Sequence, residues 1–168
     1  HAMNLLFLHP QFPGPFQHLA PALAADGANT VMALTLRTDL PATWQGVQVR
    51  SYPLARRPGG DTHPWLAVAE RQTVVAESLA RAALQLRDED FTPDVVCASS
   101  EWGDSLWIKT VWPDAKLGLV LGDFGDGRAP ADPEFPTADP LDHARLLPLQ
   151  ALLRQAAAAL TFTGYSWG

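Results

Sequence analysis

The fold is decided by residues 4–36, which read NLLFLHPQFPGPFQHLAPALAADGANTVMALTL. The run Leu5–Leu8 is short and fully apolar, a pattern typical of a parallel strand buried on both faces. Phe16–Ala25 places its apolar side chains on one helical face, and Asp26-Gly27 ends that helix. Thr30–Leu36 is β-branched and apolar, which predicts a second strand. The stretch therefore predicts a strand–turn–helix–strand unit.

The same alternation of strands and helices continues along the chain. Further strands are predicted at 46–52, Val95–Ala98, Leu117–Leu121 and Leu160–Thr163. Helices are predicted over Trp65–Asp88, Asp104–Val111 and Leu141–Ala159, and loops over 53–64 and 122–140. Kinks are expected at Pro148 and, unless it falls in the first helical turn, at Pro21. The alternation predicts an α/β fold, a parallel sheet with helices on both faces.

Length and composition predict one domain and argue against several kinds of partner. The 168 residues suffice for one α/β core, and no apolar run approaches the ~20 residues of a transmembrane helix. The net charge of -6 argues against nucleic acid and against strong membrane binding, because there is no basic excess. Cys97 is the one cysteine and is interpreted as a small buried residue. A single cysteine allows no intrachain disulfide, which suits a cytoplasmic location. His1-Ala2 are interpreted as a cloning remnant, which leaves 3–168 as the domain.

Parallel α/β sheets bind ligands outside the carboxyl ends of their strands. The turn after the first strand, HPQFPGPF, has one glycine and no lysine, so it lacks the dinucleotide and P-loop fingerprints. Gly14 either only makes the turn or lets a polar or anionic group approach the start of the next helix. Under the second interpretation, the candidate binding residues are Gln11, Phe12, Gly14 and His18.

The segment SSEWGDSLW, residues 99–107, also follows a predicted strand. A carboxylate here can serve as a general base or bind hydroxyls, an indole can stack on a sugar ring, and the glycine admits a close backbone approach. The alternative is structural: a serine that caps a helix, acidic residues that suit its dipole, and a tryptophan in the core. The candidates for binding are Ser99, Ser100, Trp102 and Gly103, and those for catalysis are Glu101 and Asp104.

No Gly-x-Ser-x-Gly, Gly-x4-Gly-Lys-Ser/Thr or His-Glu-x-x-His motif occurs in the chain. The five histidines are scattered without metal-ligand spacing, so no metal site is predicted. His9 ends the first strand and is expected to point toward the ligand edge. His63 ends the long loop and is a third catalytic candidate, although a lone histidine is more often structural or solvated.

Several motifs, in order, resemble the amino-terminal domain of glycosyltransferase family 4 proteins. NLLFLHPQFPGPFQHLAPALAADG followed by VMALTL resembles a subgroup that opens with a strand, a Gln-x-Phe-Pro-Gly-x-Phe turn and His-Leu-Ala-Pro-Ala-Leu. The resemblance runs from Met3 to Trp167. Its further matches are THPWL (Thr62–Leu66), PDVVCA (Pro93–Ala98), WGDSLWIKTVWPDAKL (Trp102–Leu117) and DPEFP (Asp132–Pro136).

The resemblance implies a GT-B architecture, in which two Rossmann-like domains face each other across a cleft. The amino-terminal domain mainly receives the acceptor, and a carboxyl-terminal partner domain mainly holds the nucleotide-sugar donor. The chain is then the acceptor-side domain of a retaining, metal-independent glycosyltransferase, inactive alone and binding no cofactor itself. The acceptor would be a glycan, a lipid or a small molecule. Residues 11–14 and 99–104 would line the cleft, with His63, Arg128 and Glu134 as further candidates.

The chain departs from that subgroup at the expected cleft. Ser99, Ser100 and Glu101 stand where a His-Pro-Gly-type turn is usual, Asp104 replaces a glutamate, and Leu121 replaces an acid. Two alternatives from other classes therefore stay open. One is a stand-alone Rossmann-like or flavodoxin-like module that binds a small molecule without catalysis, and the other is a structural or regulatory domain that has lost activity.

Overall fold

The computed structural model describes residues 1–121 and 158–161, which form one sheet with helices on both faces. The strands are β1 (Asn4–Leu8), β2 (Thr30–Thr35), β3 (Thr43–Trp44), β4 (Val47–Ser51), β5 (Val95–Ser99), β6 (Lys116–Leu121) and β7 (Ala158–Thr161). The helices are α1 (Leu19–Ala25), α2 (Ala67–Asp88) and α3 (Ile108–Val111), and short 3-10 helices occupy Gly14–Phe16 and Pro64–Leu66.

The strands lie in the order β3-β4-β2-β1-β5-β6-β7, and every neighbouring pair except β3 and β4 is parallel. In the central strand β1, Leu6 aligns with Met32 of β2 and with Val96 of β5. The predicted parallel sheet is confirmed, with one correction at its edge. The antiparallel strand β3 joins β4 through Gln45-Gly46, whose φ angles of 47° and 84° suit a two-residue hairpin. A strand of two residues is too short to show periodicity in the sequence.

Both faces of β1 are buried, which explains its uninterrupted apolar sequence. Leu6 and Leu8 belong to a core that includes buried side chains of α2 and α3. Leu5 and Phe7 belong to a second core on the other face, completed by the turn after β1 and by α1. The helical layers predicted on both faces of the sheet are therefore present.

The helix predicted over Phe16–Ala25 is divided in two. Its first residue belongs to the 3-10 helix Gly14–Phe16, and α1 begins only at Leu19. Pro21 is the third residue of α1. The N–H groups of the first helical turn make no intrahelical hydrogen bonds, so a proline there removes none. Pro21 therefore lies where a proline does not kink the helix.

Three other boundaries also differ from the prediction. The helix α2 begins two residues later than expected, and α3 is limited to Ile108–Val111 instead of starting at Asp104. The strand β7 begins at Ala158, within residues predicted to end a helix at Ala159. The predicted loop 122–140, most of the predicted helix that follows it, and the kink at Pro148 lie outside the described residues.

The long helix α2 is anchored where it passes the carboxyl edge of the sheet. A Cβ on Gly103, in the loop after β5, would lie 2.6 Å from the Cβ and 2.7 Å from the carbonyl oxygen of Gln72 in α2. Gly103 also has a φ of +77°, which other residues rarely adopt. The close approach that the sequence predicted at Gly103 is thus made by α2.

Replacing Gly103 by alanine is expected to lower the free energy of unfolding by on the order of 3 kcal/mol, since the methyl group meets helix backbone and the φ becomes strained. Gly27→Ala is the matched control, because a Cβ there meets nothing within 4 Å. It is expected to change the free energy of unfolding by less than ~0.5 kcal/mol. Chemical denaturation of both variants measures the difference. Equal midpoints would show that the approach of α2 to the loop imposes no constraint.

Candidate functional site

The carboxyl ends of the central strands bring two predicted segments together. β1 and β5 are neighbours, with Leu8 aligned to Ala98, so the turn after β1 and the loop after β5 leave the sheet side by side. The rings of His9 and Trp102, one from each segment, meet edge to face with centroids 6.1 Å apart. We call the surface formed by residues 9–14 and 99–104 the edge wall.

The turn after β1 is held in place by the end of β2. The hydroxyl of Thr35 donates to the carbonyl oxygen of Pro10 at 2.9 Å, and Arg37 Nη1 donates to the carbonyl oxygen of Phe12 at 2.9 Å. Arg37 is itself held by a bidentate ion pair with Asp39. These bonds connect the backbone of the turn to the end of β2 and the residues just after it, and so hold the turn at the edge of the sheet.

The four residues predicted to bind a ligand in this turn have different surroundings. The side chain of Phe12 is fully buried and packs edge to face on Trp44, with ring centroids 5.5 Å apart. This corrects the prediction that the Phe12 side chain lines a ligand cleft. Gln11 and His18 are exposed, and His18 immediately precedes α1 without a side-chain cap hydrogen bond. Their predicted contacts with substrate stay predictions.

The space beside Gly14 is occupied by the side chain of His9. Its φ is +45°, and a Cβ built on it would lie 2.7 Å from Cε1 and 2.8 Å from Nδ1 of His9. The glycine is therefore required by the imidazole ring that lies over it. The prediction that the turn opens directly onto a helix N-terminus is wrong, because a 3-10 helix intervenes and α1, of seven residues, begins at Leu19.

His9 belongs to the edge wall but was left out of the predicted binding set. Its side chain is 8% exposed and contacts Phe16 and Trp102 edge to face, with centroids 6.3 Å and 6.1 Å away. Burial lowers its pKa to about 4. The sequence feature that could have identified His9 as a binding residue is its position directly after a central parallel strand.

The loop after β5 holds the other predicted residues in two layers. Glu101 and Trp102 are exposed, with Trp102 at 37%, and they form the outer layer. Ser99 and Ser100 are buried, and the Ser99 hydroxyl accepts the N–H of Glu101 at 3.4 Å. Neither serine caps α3, whose N-cap residue is Trp107. The helix-cap interpretation of these serines is therefore wrong.

Asp104 lies beneath this loop and is 1% exposed. Within the described residues, neither of its carboxylate oxygens has a hydrogen-bond partner of normal geometry. Burial raises its pKa well above the usual range, and its own amide and that of Ser105 oppose this only in part. Its catalytic role stays a prediction, since in this arrangement the carboxyl group is enclosed.

Two further residues at this edge had not been predicted. Tyr52 follows β4 directly, and burial together with the nearby Asp104 raises its pKa. Gln72 of α2 donates its Nε2 to the carbonyl oxygen of Glu101 at 2.9 Å, which fixes the loop. The position of Tyr52 after a parallel strand could have identified it. Nothing in the helical pattern distinguishes Gln72.

His63 lies on the loop before α2, with its side chain exposed. That loop is tied to the helix by Glu70, which accepts the hydroxyl of Thr62 and the N–H of Gly59, and these bonds lower the pKa of Glu70. His63 is thereby placed at the amino-terminal end of α2, the end that meets Gly103. Its catalytic role stays a prediction, and Arg128 and Glu134 lie outside the described residues.

Two cavities among the described residues lie away from the edge wall and contain none of its residues. One of about 400 Å³ lies along β3 and β4, and one of about 430 Å³ lies beside Met3, Asp94 and Lys116.

Among residues 1–121 and 158–161, no three histidine, cysteine or acidic side chains converge to hold a metal ion. The helices of the same residues include none long and apolar enough to cross a membrane. Burial raises the pKa of the Cys97 thiol to about 11, which suits an unreactive residue.

Asp104→Asn is expected to stabilise the protein at pH 7 by on the order of 1–3 kcal/mol, because it removes a buried carboxyl that folding keeps protonated. The folded pKa is raised, so the stability that this carboxyl contributes is complete below pH 3.8 and is lost as pH rises. The advantage of the variant should therefore grow from acid to neutral pH in thermal unfolding. An unchanged or falling advantage would mean that Asp104 is ionised and stabilised in the fold.

Comparison with known proteins identifies the family. The model of the glycosyl transferase family 4 group matches residues 27–167, most of the chain. No curated protein sequence matches significantly.

Several solved structures share the fold. UGT2 of Phytolacca americana, in its apo form, superposes with a TM-score of 0.62 at 14% identity, over 96% of this chain and 46% of that one. UGT89C1 of Arabidopsis thaliana, complexed with UDP, gives 0.52 at 16% identity, over 96% and 45%. A putative UDP-N-acetylglucosamine 2-epimerase from Listeria monocytogenes gives 0.54 at 14% identity, over 96% and 39%.

The chain spans less than half the length of each of these structures, and at such identities they show the fold alone. The Rossmann-like arrangement predicted from the sequence is confirmed by these superpositions. Together with the family match, they show that the chain belongs to the glycosyl transferase family 4 group and has the α/β fold of a GT-B amino-terminal domain.

Proposed function

We propose that this chain is the acceptor-side domain of a nucleotide-sugar-dependent glycosyltransferase, with the edge wall as its half of the active-site cleft. The observation that carries the proposal is the pairing of His9 with Trp102 over Gly14, at the carboxyl ends of the two central strands. Parallel α/β sheets bind their ligands at this edge. The family to which the chain belongs transfers sugars, and a partly exposed tryptophan beside polar groups suits a sugar ring.

The donor is proposed to bind elsewhere, in a second Rossmann-like domain. The turn after β1 has one glycine, no lysine and no adjoining long helix, so it offers little to a diphosphate. UGT2 of Phytolacca americana has been solved with UDP-2fluoro-glucose and pterostilbene, a nucleotide-sugar analogue and a small molecule. This supports a nucleotide-sugar as donor. Transfer with retention, without a metal ion and in the cytoplasm belongs to the same proposal.

The proposal is tested on the protein translated from the complete reading frame, beside the 168-residue chain. A panel of UDP-, GDP-, ADP- and TDP-sugars is offered with glycan, lipid and phenolic acceptors, and nucleotide release and product mass are measured. We expect the longer protein to transfer from one donor class and the chain alone to transfer from none. Absence of transfer and hydrolysis with every donor, or tight binding of a flavin or dinucleotide by the chain alone, would overturn the proposal.

Gly14→Ala is expected to lower kcat/KM by about 100-fold in the longer protein, because the new methyl group must displace the His9 ring from the edge wall. The variant should stay folded by circular dichroism, since the clash is with a side chain and not with a strand. Gly27→Ala, where a Cβ meets open space, is the control and should keep wild-type kinetics. Unchanged kinetics in Gly14→Ala would remove the turn from the mechanism.

A further inference from the structure

The protonation state of His9 is fixed by its neighbours. The backbone N–H of Gln11 donates to His9 Nδ1 at 3.1 Å. A backbone amide can only donate, so Nδ1 must be the acceptor, and the neutral ring then carries its hydrogen on Nε2. A proton added to Nδ1 would have to displace this bond, in a ring that is already largely removed from water.

The ring is also held rigidly in its plane. Gly14 leaves room for one face, because a Cβ there would come within 2.7–3.0 Å of three of its atoms. Phe16 and Trp102 make edge-to-face contacts with the ring at interplanar angles of 84° and 75°. Burial is the main cause of the low pKa of His9, and no charged side chain contributes to the shift. The imidazole is therefore a fixed, uncharged group.

One hydrogen-bonding atom of this ring is left for a ligand. Among the described residues, Nε2 has no hydrogen-bond partner, since the Gln11 bond uses Nδ1. His9 keeps 8% of its surface exposed, at the carboxyl edge of the central strand and beside the partly exposed Trp102. Nε2–H is thus the hydrogen-bonding atom of this ring that no described residue occupies.

We infer that His9 is a positioning residue, which donates its Nε2–H to a hydroxyl oxygen of a substrate sugar and does not act as a general base. The inference rests on the proposed function and adds to it the group that orients the sugar against Trp102. A hydroxyl fits better than a phosphate, because burial lowers the pKa of the ring to about 4 and so disfavours the positive charge that a phosphate would attract. The hydroxyl belongs either to the donor sugar or to a sugar of the acceptor.

The tautomer is read directly by NMR of the longer protein labelled with 15N-histidine. His9→Asn assigns the signal, since the spectrum of the variant lacks the resonances of this ring. We expect a neutral ring with its proton on Nε2 from about pH 5.5 to 8.5, in the absence of any substrate. A ring that titrates near pH 6.5, or one protonated on Nδ1, would overturn the inference.

The ligand is tested by adding UDP alone, the intact nucleotide-sugar, and a glycan acceptor in separate titrations. A shift of the His9 Nε2 signal with the nucleotide-sugar but not with UDP assigns the hydroxyl to the donor. A shift with the glycan alone assigns it to the acceptor. A shift with UDP alone would point to a phosphate, and no shift with any ligand would point to a structural histidine. Both of these results would overturn the inference.

Two substitutions separate the ligand contact from support of the turn. His9→Asn keeps an oxygen acceptor near Nδ1 for the Gln11 N–H and loses the Nε2 donor, whereas His9→Gln keeps a donor near Nε2 and loses the acceptor. We expect His9→Asn to lower kcat/KM by about tenfold without changing the shape of its pH profile, and His9→Gln to recover part of this loss. In thermal unfolding the order should reverse, with His9→Asn the more stable of the two.

The outcomes distinguish the inference from the proposed function. If the wild-type protein transfers no sugar, the proposed function fails, while the tautomer measurement still decides the state of His9. If the wild-type protein transfers sugar and His9→Asn matches its kcat/KM, the inference fails and the function stands. Loss of the acidic limb of the pH profile in His9→Asn would identify a general base and also overturn the inference.

Discussion

The burial of β1 on both faces is the constraint from which the rest of the structure follows. Each residue of Leu5–Leu8 is less than 5% exposed, and alternate side chains enter the two cores. A strand of this kind needs a helical layer on each side and a parallel neighbour on each edge, because no face or edge is left for water. The positions of β2 and β5, and of α1 and α2, meet that requirement.

The same constraint determines where the edge wall stands. Since β1 and β5 are adjacent and in register, the residues that follow them must meet at one edge. The turn after β1 is then fixed by Thr35 at the end of β2 and by Arg37 just beyond it, and the loop after β5 by Gln72 of α2. The pairing of His9 with Trp102 is thus positioned by the adjacent strands and by these long-range hydrogen bonds.

The sequence predicted the features that depend on runs of apolar residues. Strands appeared as short apolar runs and α2 as a long amphipathic period, so the order of elements and both helical layers followed. What it could not predict depends on contacts across the fold. Phe12 is apolar whether it lines a cleft or fills the core, and only its packing on Trp44 decides between the two.

Polar residues at the strand ends show the same limit more sharply. Glu101 and Asp104 are carboxylates three positions apart, yet one is exposed and the other is 1% exposed. Gly103, between these two residues, lies against Gln72 of α2, a contact between residues far apart in the chain. The glycine predicted a close approach, but the sequence did not identify the partner.

The chemistry open to the edge wall follows from this desolvation. Burial raises the pKa of Asp104 and lowers the pKa of His9. In both residues it favours the uncharged form. The enclosed titratable groups of the wall therefore favour their uncharged forms. A nucleotide-sugar carries a diphosphate that needs cationic or amide partners. On the proposed function, those partners must come from the facing domain, while this wall orients a neutral, hydroxyl-rich substrate.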